Sequence, residues 1–202
     1  MLTDGLHDVP DGKIAAIVTS LEMFERPALR PQVDGAWALR RLETPDADEY
    51  LRLYAAVGRD WLWFTRLVMP REKLVTDLGD PAVEVYRLEA PGGETGILEL
   101  DFRESETCEL TYFGVTAGLV GGGAARWLMN RAVELAWSRP IKRFWVHTCT
   151  LDHPSAPQFY MRSGFTPFRR EVEIADDPRL SGLAPLESAP HVPVIRADGR
   201  TA

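Results

Sequence analysis

The fold is decided by residues 113–126, which read Phe113-Gly114-Val115-Thr116-Ala117-Gly118-Leu119-Val120-Gly121-Gly122-Gly123-Ala124-Ala125-Arg126. Glycines are crowded here between a β-like run and an amphipathic helical pattern. Glycine lets the backbone approach a ligand without an intervening Cβ, and the N–H groups in the first turn of a helix lack intrahelical partners. Anions bind readily at such helix N-termini. The stretch therefore predicts a phosphate-binding loop, and the alternative at this point is a plain tight turn.

The residues after this loop predict a helix, a buried strand and a second, shorter helix. Apolar residues recur at helical spacing, at Ala125, Leu128, Met129, Ala132, Val133 and Ala136. Arg139-Pro140 ends that helix, and the apolar, β-branched residues 144–150 predict a strand. Pro154 then fits the first position of the short helix, with His153 as its cap and Gly164 at its end.

This order of elements resembles the GNAT superfamily, the N-acyltransferases that use acyl-CoA. The loop signature of that superfamily, Gln/Arg-x-x-Gly-x-Gly/Ala, is matched at Gly123 and Ala125, with Val120 in the first place. The later signature, Asn-x-x-Ala-x-x-x-Tyr, is matched at Ala156 and Tyr160, with His153 in place of Asn and Gly164-Phe165 behind. The resemblance covers residues 36–174, and its specific motifs lie within 113–165.

The resemblance implies an α/β fold, a single domain with a mixed, mostly antiparallel central sheet flanked by helices. We expect an N-terminal extension at 1–34, the acyltransferase domain at 35–175 and an irregular C-terminal tail at 176–202. Residues 14–18 are predicted either to add a strand to a sheet edge, in this subunit or a neighbour, or to pack on their own domain. Pro91-Gly92-Gly93 predicts a hairpin between two strand-like runs.

The resemblance also implies acetyl-CoA as co-substrate, held by the strand, the loop and the short helix. The expected cofactor-binding residues are Phe113, Val115, Val120, Gly121, Gly122, Gly123, Ala124, Ala125, His153 and Ala156. Tyr160 is implied as the general acid that protonates the departing CoA thiolate, since a phenol has a pKa of about 10. The alternative for Tyr160 is a packing residue.

A general base for the acceptor amine is sought among carboxylates that share one strand face. Alternation places Glu99 and Asp101 opposite the leucines, and a turn near Ser105 would bring Glu109 and Thr111 across from them. Crowded carboxylates have raised pKa values, which suits a base for an ammonium group. Glu109 is the first candidate and Glu99 the second, and the alternative is an ordinary solvated strand face.

Composition limits the classes of partner. A net charge of −7 and a pI of about 5.2 argue against a nucleic-acid partner and favour a cationic or neutral substrate. The start of the chain lacks a signal-peptide pattern, no apolar run has membrane-spanning length and no metal-ligand spacing occurs, so a cytoplasmic, metal-free protein is expected. Both cysteines, Cys108 and Cys149, lie in strand-like runs and are expected to be reduced.

The resulting hypothesis is an N-acetyltransferase that moves an acetyl group to a primary amine of a small molecule or peptide, by direct attack in a ternary complex. The alternatives are an idle acyl-CoA-binding or regulatory domain, and a transferase using another acyl-CoA. A homodimer is compatible with the sequence. Trp61, Trp63 and Phe64 are interpreted as one wall of the acceptor pocket or, alternatively, as core residues.

Overall fold

A seven-stranded sheet runs through the structure, a computed structural model that describes residues 3–196. Its strands in chain order are β1 (Lys13–Met23), β2 (Ala38–Leu42), β3 (Val83–Glu89), β4 (Thr95–Asp101), β5 (Thr107–Val115), β6 (Arg143–Cys149) and β7 (Thr166–Asp176). They lie side by side in the order β2-β3-β4-β5-β6-β1-β7, and every neighbouring pair is antiparallel except β5 and β6. This confirms the predicted fold class, and the β3–β4 hairpin forms where Pro91-Gly92-Gly93 predicts it.

Five α-helices in the described part of the chain cover the two faces of the sheet. They are α1 (Ala47–Gly58), α2 (Thr65–Val68), α3 (Arg71–Gly79), α4 (Ala124–Ala136) and α5 (Ala156–Arg162). The short helix α5 begins two residues later than predicted, with Ser155 and not His153 at its N-cap. Within residues 3–196, no helix has the length and apolar character needed to cross a membrane.

Strand alternation divides the interior into two main cores. Leu98 and Leu100 of β4 face the α4 side, where they pack with Leu110 and Leu128. Ile97 faces the other side and packs against α1 and α3. The period of two along β4 therefore sets which residues reach each helical layer.

Strand β1 lies inside the sheet. It pairs with β6 on one side and with β7 on the other, so it is an interior strand and not an edge strand. Residues of the expected N-terminal extension thus complete the sheet of the same chain. Because β1 and β2 lie far apart in the sheet, residues 24–37, here called the crossing segment, must run from one side of the fold to the other.

The described part of the C-terminal tail, residues 177–196, consists mainly of turns that pack on the sheet. Ala184 and Ala189 are buried against Ile14 and Leu151. The guanidinium of Arg179 donates to the carboxylate of Asp177 and to backbone carbonyls, including that of Val192 at 2.8 Å. The described part of the tail therefore has an irregular backbone that is held on the sheet by buried side chains and hydrogen bonds.

Candidate active site

A cleft of about 540 Å³ opens where β5 and β6 diverge. Strands β5 and β6 pair in parallel where residues 107–109 face residues 143–145, and the two strands are not paired beyond these residues. Residues 110–115 of β5 and His147 of β6, which follow the paired part, line the cleft. The separation of two neighbouring parallel strands thus creates this cleft.

One end of the cleft, here called the donor end, is formed by the glycine loop and the N-terminus of α4. Gly121 and Gly123 have positive φ angles of 83° and 93°. The first helical N–H with an intrahelical acceptor belongs to Trp127, which donates to the carbonyl of Gly123 at 3.0 Å. Within residues 3–196, the earlier N–H groups, from Gly123 to Arg126, have no acceptor. These free donors make the loop suitable for a phosphate group.

Most of the predicted cofactor residues lie around this cleft. Those that line it are Phe113, Val115, Val120, Gly121, Gly123, Ala125, His153 and Ala156. Gly122 is exposed outside the cleft wall, and Ala124 is buried in the core beneath the loop. The imidazole Nδ1 of His153 lies 2.8 Å from the Ser155 hydroxyl, so this residue holds the turn before α5.

Gly123 has a second structural role that the sequence does not indicate. A Cβ at this position would lie 2.6 Å from Cγ1 of Val33 in the crossing segment. Together with the positive φ, this close approach means that any larger residue would displace the segment or the loop.

Tyr160 lies in the cleft wall among aromatic rings. Its ring centroid is 6.3 Å from that of Phe113, 5.7 Å from Phe159 and 5.9 Å from Phe165. Burial raises the pKa of the Tyr160 phenol well above its ordinary value, with a smaller contribution from the charge of Asp152. The phenol therefore keeps its proton at neutral pH.

Glu99 is completely buried and does not line the cleft. Its carboxylate accepts hydrogen bonds from the Tyr50 hydroxyl at 2.6 Å and from the guanidinium of Arg66. Burial raises the pKa of Glu99, and Arg66 opposes this shift. The arrangement is an internal ion pair that fixes α1 and α2 on the sheet.

Glu109 also lies outside the cleft wall, directly behind His147. It faces Asp101 across the strand pair as predicted, but Glu99 faces Tyr112, because a bulge shifts the register after Glu99. Thr111 lies in that bulge, and its buried hydroxyl has no hydrogen-bond partner in the described part of the chain. One extra residue in β5 therefore places Tyr112, and not Thr111, across from Glu99.

His147 is the titratable group that stands between Glu109 and the cleft. Its Nδ1 lies 3.3 Å from Oε1 of Glu109, and its side chain is 47% exposed. Hydrogen bonding to Glu109 raises the pKa of His147, although burial opposes the shift. Sequence reasoning missed this pairing, and the available signal was the alternation that places Trp145 and His147 on one face of β6.

The opposite end of the cleft, here called the acceptor end, has an aromatic wall. The rings of Tyr54, Trp63 and Tyr112 contact each other with centroids 5.0–5.5 Å apart. Trp61 and Phe64 line the cleft as well. Asp152 accepts a hydrogen bond from Nε1 of Trp63 at 3.0 Å, which joins this wall to the loop before α5.

Sheet topology, divergent parallel strands and a glycine loop define the GNAT type of acyltransferase fold. Residues 73–165 match the family model described as "Acetyltransferase (GNAT) family". The chain is therefore similar to this family over residues 73–165. No curated protein matches the sequence significantly.

Solved structures share the fold at low sequence identity. A conserved protein of unknown function from Staphylococcus epidermidis aligns with a TM-score of 0.57 and 13% identity, over 82% of this chain and 63% of its own. A GCN5-related N-acetyltransferase from Kribbella flavida gives 0.54 and 14%, over 85% and 63%. Another from Sphaerobacter thermophilus gives 0.51 and 17%, over 83% and 53%. The present chain thus spans less than two thirds of the length of each of these relatives.

Proposed function

We propose that this protein is an N-acetyltransferase that moves the acetyl group of acetyl-CoA to a primary amine of a small molecule or peptide. The observation that carries this proposal is one continuous cleft with free backbone donors at one end and Tyr160 in its wall. A donor with phosphates and a flexible arm fits a site of this shape, because its phosphates meet the loop and its arm lies between the strands.

The glycine loop suits the pyrophosphate of the donor. A Cβ at Gly121 would meet no atom within 4 Å, so the backbone of this glycine is open to a ligand. The free N–H groups from Gly123 to Arg126 supply donors, and the N-terminus of α4 adds a favourable dipole. Val120 contributes an apolar side chain, 53% exposed, so the backbone and not this side chain carries the phosphate contacts.

We place the general base on the pair formed by His147 and Glu109. The Glu109 carboxylate holds Nδ1 of His147, which leaves Nε2 to take a proton from the acceptor ammonium, directly or through water. In this arrangement Glu109 is a positioning residue. Glu99 serves the fold, because both its partners and its burial keep it away from the acceptor.

The deprotonated amine then attacks the thioester carbonyl. A carbon–nitrogen bond forms, the carbon–sulfur bond breaks, and Tyr160 gives its proton to the departing thiolate. Cys149 lines the cleft, but burial raises the pKa of its thiol to about 11, so it stays protonated at neutral pH and is a poor nucleophile. Direct transfer is therefore favoured over an acyl-cysteine intermediate.

The test combines binding with turnover. Acetyl-CoA should raise the melting temperature, because a ligand that binds the folded state stabilises it. Release of CoA should then be followed with a mixed library of primary amines. Stabilisation without turnover for any amine would instead support an acyl-CoA-binding domain, and faster turnover with another acyl-CoA would reassign the donor.

A further inference from the structure

The crossing segment is fixed over the donor end of the cleft by a buried side chain of α4. The amide of Asn130, only 2% exposed, donates from Nδ2 to the carbonyl of Arg30 at 2.9 Å. Its Oδ1 accepts from the backbone N–H of Arg30 at 3.2 Å. Two hydrogen bonds from one buried side chain thus hold the backbone of Arg30 in place.

Further contacts hold the segment on both sides of Arg30. Pro27 packs so closely on Gly164, at the end of α5, that a Cβ there would lie 2.9 Å from the proline ring. Val33 lies against Gly123 of the loop. These contacts therefore fix the crossing segment as part of the donor end.

Three arginines meet at this place from three different elements. Arg30 belongs to the crossing segment, Arg126 to the first turn of α4 and Arg162 to the last turn of α5, and all three line the cleft. Within residues 3–196 none of them has an ion-pair partner. The guanidinium of Arg30 lies 5.7 Å from the ring centroid of Phe159.

The arginines are close enough to repel one another. Burial, followed by the charges of Arg126 and Arg162, lowers the pKa of Arg30. A cluster of like charges beside free N–H groups is unfavourable by itself and becomes favourable when an anion binds. The loop amides already account for the pyrophosphate, so the arginines are available for a further phosphate.

We propose that Arg30, Arg126 and Arg162 bind the 3′-phosphate on the nucleotide of CoA. This inference rests on the proposed function, since it names the part of the donor that the cluster recognises. Guanidinium groups bind phosphate through paired, charge-assisted hydrogen bonds. The crossing segment thus makes the enzyme selective for donors that carry this phosphate.

Calorimetric titration with CoA and with dephospho-CoA, which lacks only the 3′-phosphate, tests the proposal. At fixed salt the wild-type protein should bind CoA at least about tenfold more tightly, the effect of one charge-assisted contact. Arg30→Gln should weaken CoA binding by about tenfold and leave dephospho-CoA binding nearly unchanged. Arg170→Gln is the matched control, because Arg170 is exposed on β7 and does not line the cleft.

The possible outcomes separate this inference from the proposed function. Equal CoA affinity in Arg30→Gln and Arg170→Gln, or equal losses for both ligands in Arg30→Gln, would overturn the arginine assignment and leave acetyl transfer intact. Absence of binding of either ligand to the wild-type protein would overturn the proposed function. Melting curves without ligand check that each variant is folded, and Arg30→Lys should recover part of the CoA preference because it keeps the charge.

Discussion

The two ends of the cleft use polar groups in opposite ways. At the donor end, backbone N–H groups lack acceptors, and the guanidinium groups of Arg30, Arg126 and Arg162 have no ion-pair partner within residues 3–196. At the acceptor end, Asp152 and, behind the wall, the buried Glu99 are already bound by neighbouring side chains. An end with unsatisfied donors is prepared for a charged ligand, whereas an end with satisfied groups is a rigid wall that selects by shape.

The sharpest test of this contrast removes the buried charge behind the acceptor end. Glu99→Ala should lower the free energy of unfolding by about 3 kcal/mol, because the buried Arg66 charge then keeps only its longer ion pair with Asp77, at 3.4 Å. Urea unfolding gives the value. Asp101→Ala, two residues along β4 and paired with the partly exposed Arg103, should lose less than about 1 kcal/mol.

A double variant serves as the control for nonspecific destabilisation by the substitution at Glu99. Glu99→Leu combined with Arg66→Met should regain much of the stability, since an apolar pair of similar size removes both buried charges. Equal losses in Glu99→Ala and Asp101→Ala would mean that the ion pair does not fix the acceptor end.

The next effect concerns Tyr160, which lies between the two ends. Tyr160→Phe should slow acetyl transfer by about ten- to a thousand-fold while acetyl-CoA binds with unchanged affinity, because only the proton donor is lost. A donor with a better leaving thiol should recover part of the rate. Tyr86→Phe is the control, since this buried hydroxyl bonds to Glu84 and lies away from the cleft. Wild-type rates in Tyr160→Phe, measured where chemistry limits turnover, would make Tyr160 a packing residue.

A smaller effect is expected from glycine substitutions in two loops. Gly121 and Gly92 have φ angles of 83° and 82°, and a Cβ at either would meet no atom within 4 Å. Alanine should therefore destabilise both positions alike, by about 1 kcal/mol. Only Gly121→Ala should also weaken acetyl-CoA binding, by about tenfold, the equivalent of one lost hydrogen bond. Thermal unfolding of both variants at increasing acetyl-CoA concentrations compares their affinities. Equal affinity in the two variants would mean that the loop does not bind the donor.

The smallest effect is a shift in pH dependence. A base must be neutral to act, so kcat/KM should rise with pH through the pKa of His147, which Glu109 raises above its ordinary value near 6.5. Glu109→Gln removes that charge, and the acid limb of the profile should move to lower pH with a modest loss of maximal rate. His147→Gln should remove the limb. If the acid limb of the kcat/KM profile is unchanged in Glu109→Gln and still present in His147→Gln, another group is the base.

Local patterns in the sequence predicted the elements of the donor end and much less of the acceptor end. Glycine conformation and helical spacing act within a few residues, so the loop before α4 and the hairpin at Pro91-Gly92-Gly93 could be predicted. The start of α5 was misplaced by two residues, because Pro154 lies in the turn that His153 holds and not in the helix. The bulge at Thr111 depends on strand pairing and has no local signal.

The sequence by itself determined the resemblance to the GNAT superfamily, the fold class and the loop, because motif spacing and periodicity are properties of short segments. Only the tertiary structure decided that β1 lies between β6 and β7, since pairing partners are chosen among all strands at once. That choice sends the crossing segment over the cleft and places Arg30 beside Arg126, about a hundred residues later in the chain. The folded sheet likewise places Glu109 behind His147 and buries Glu99 against Arg66. No local pattern encodes these contacts, because they join residues that are far apart in the sequence.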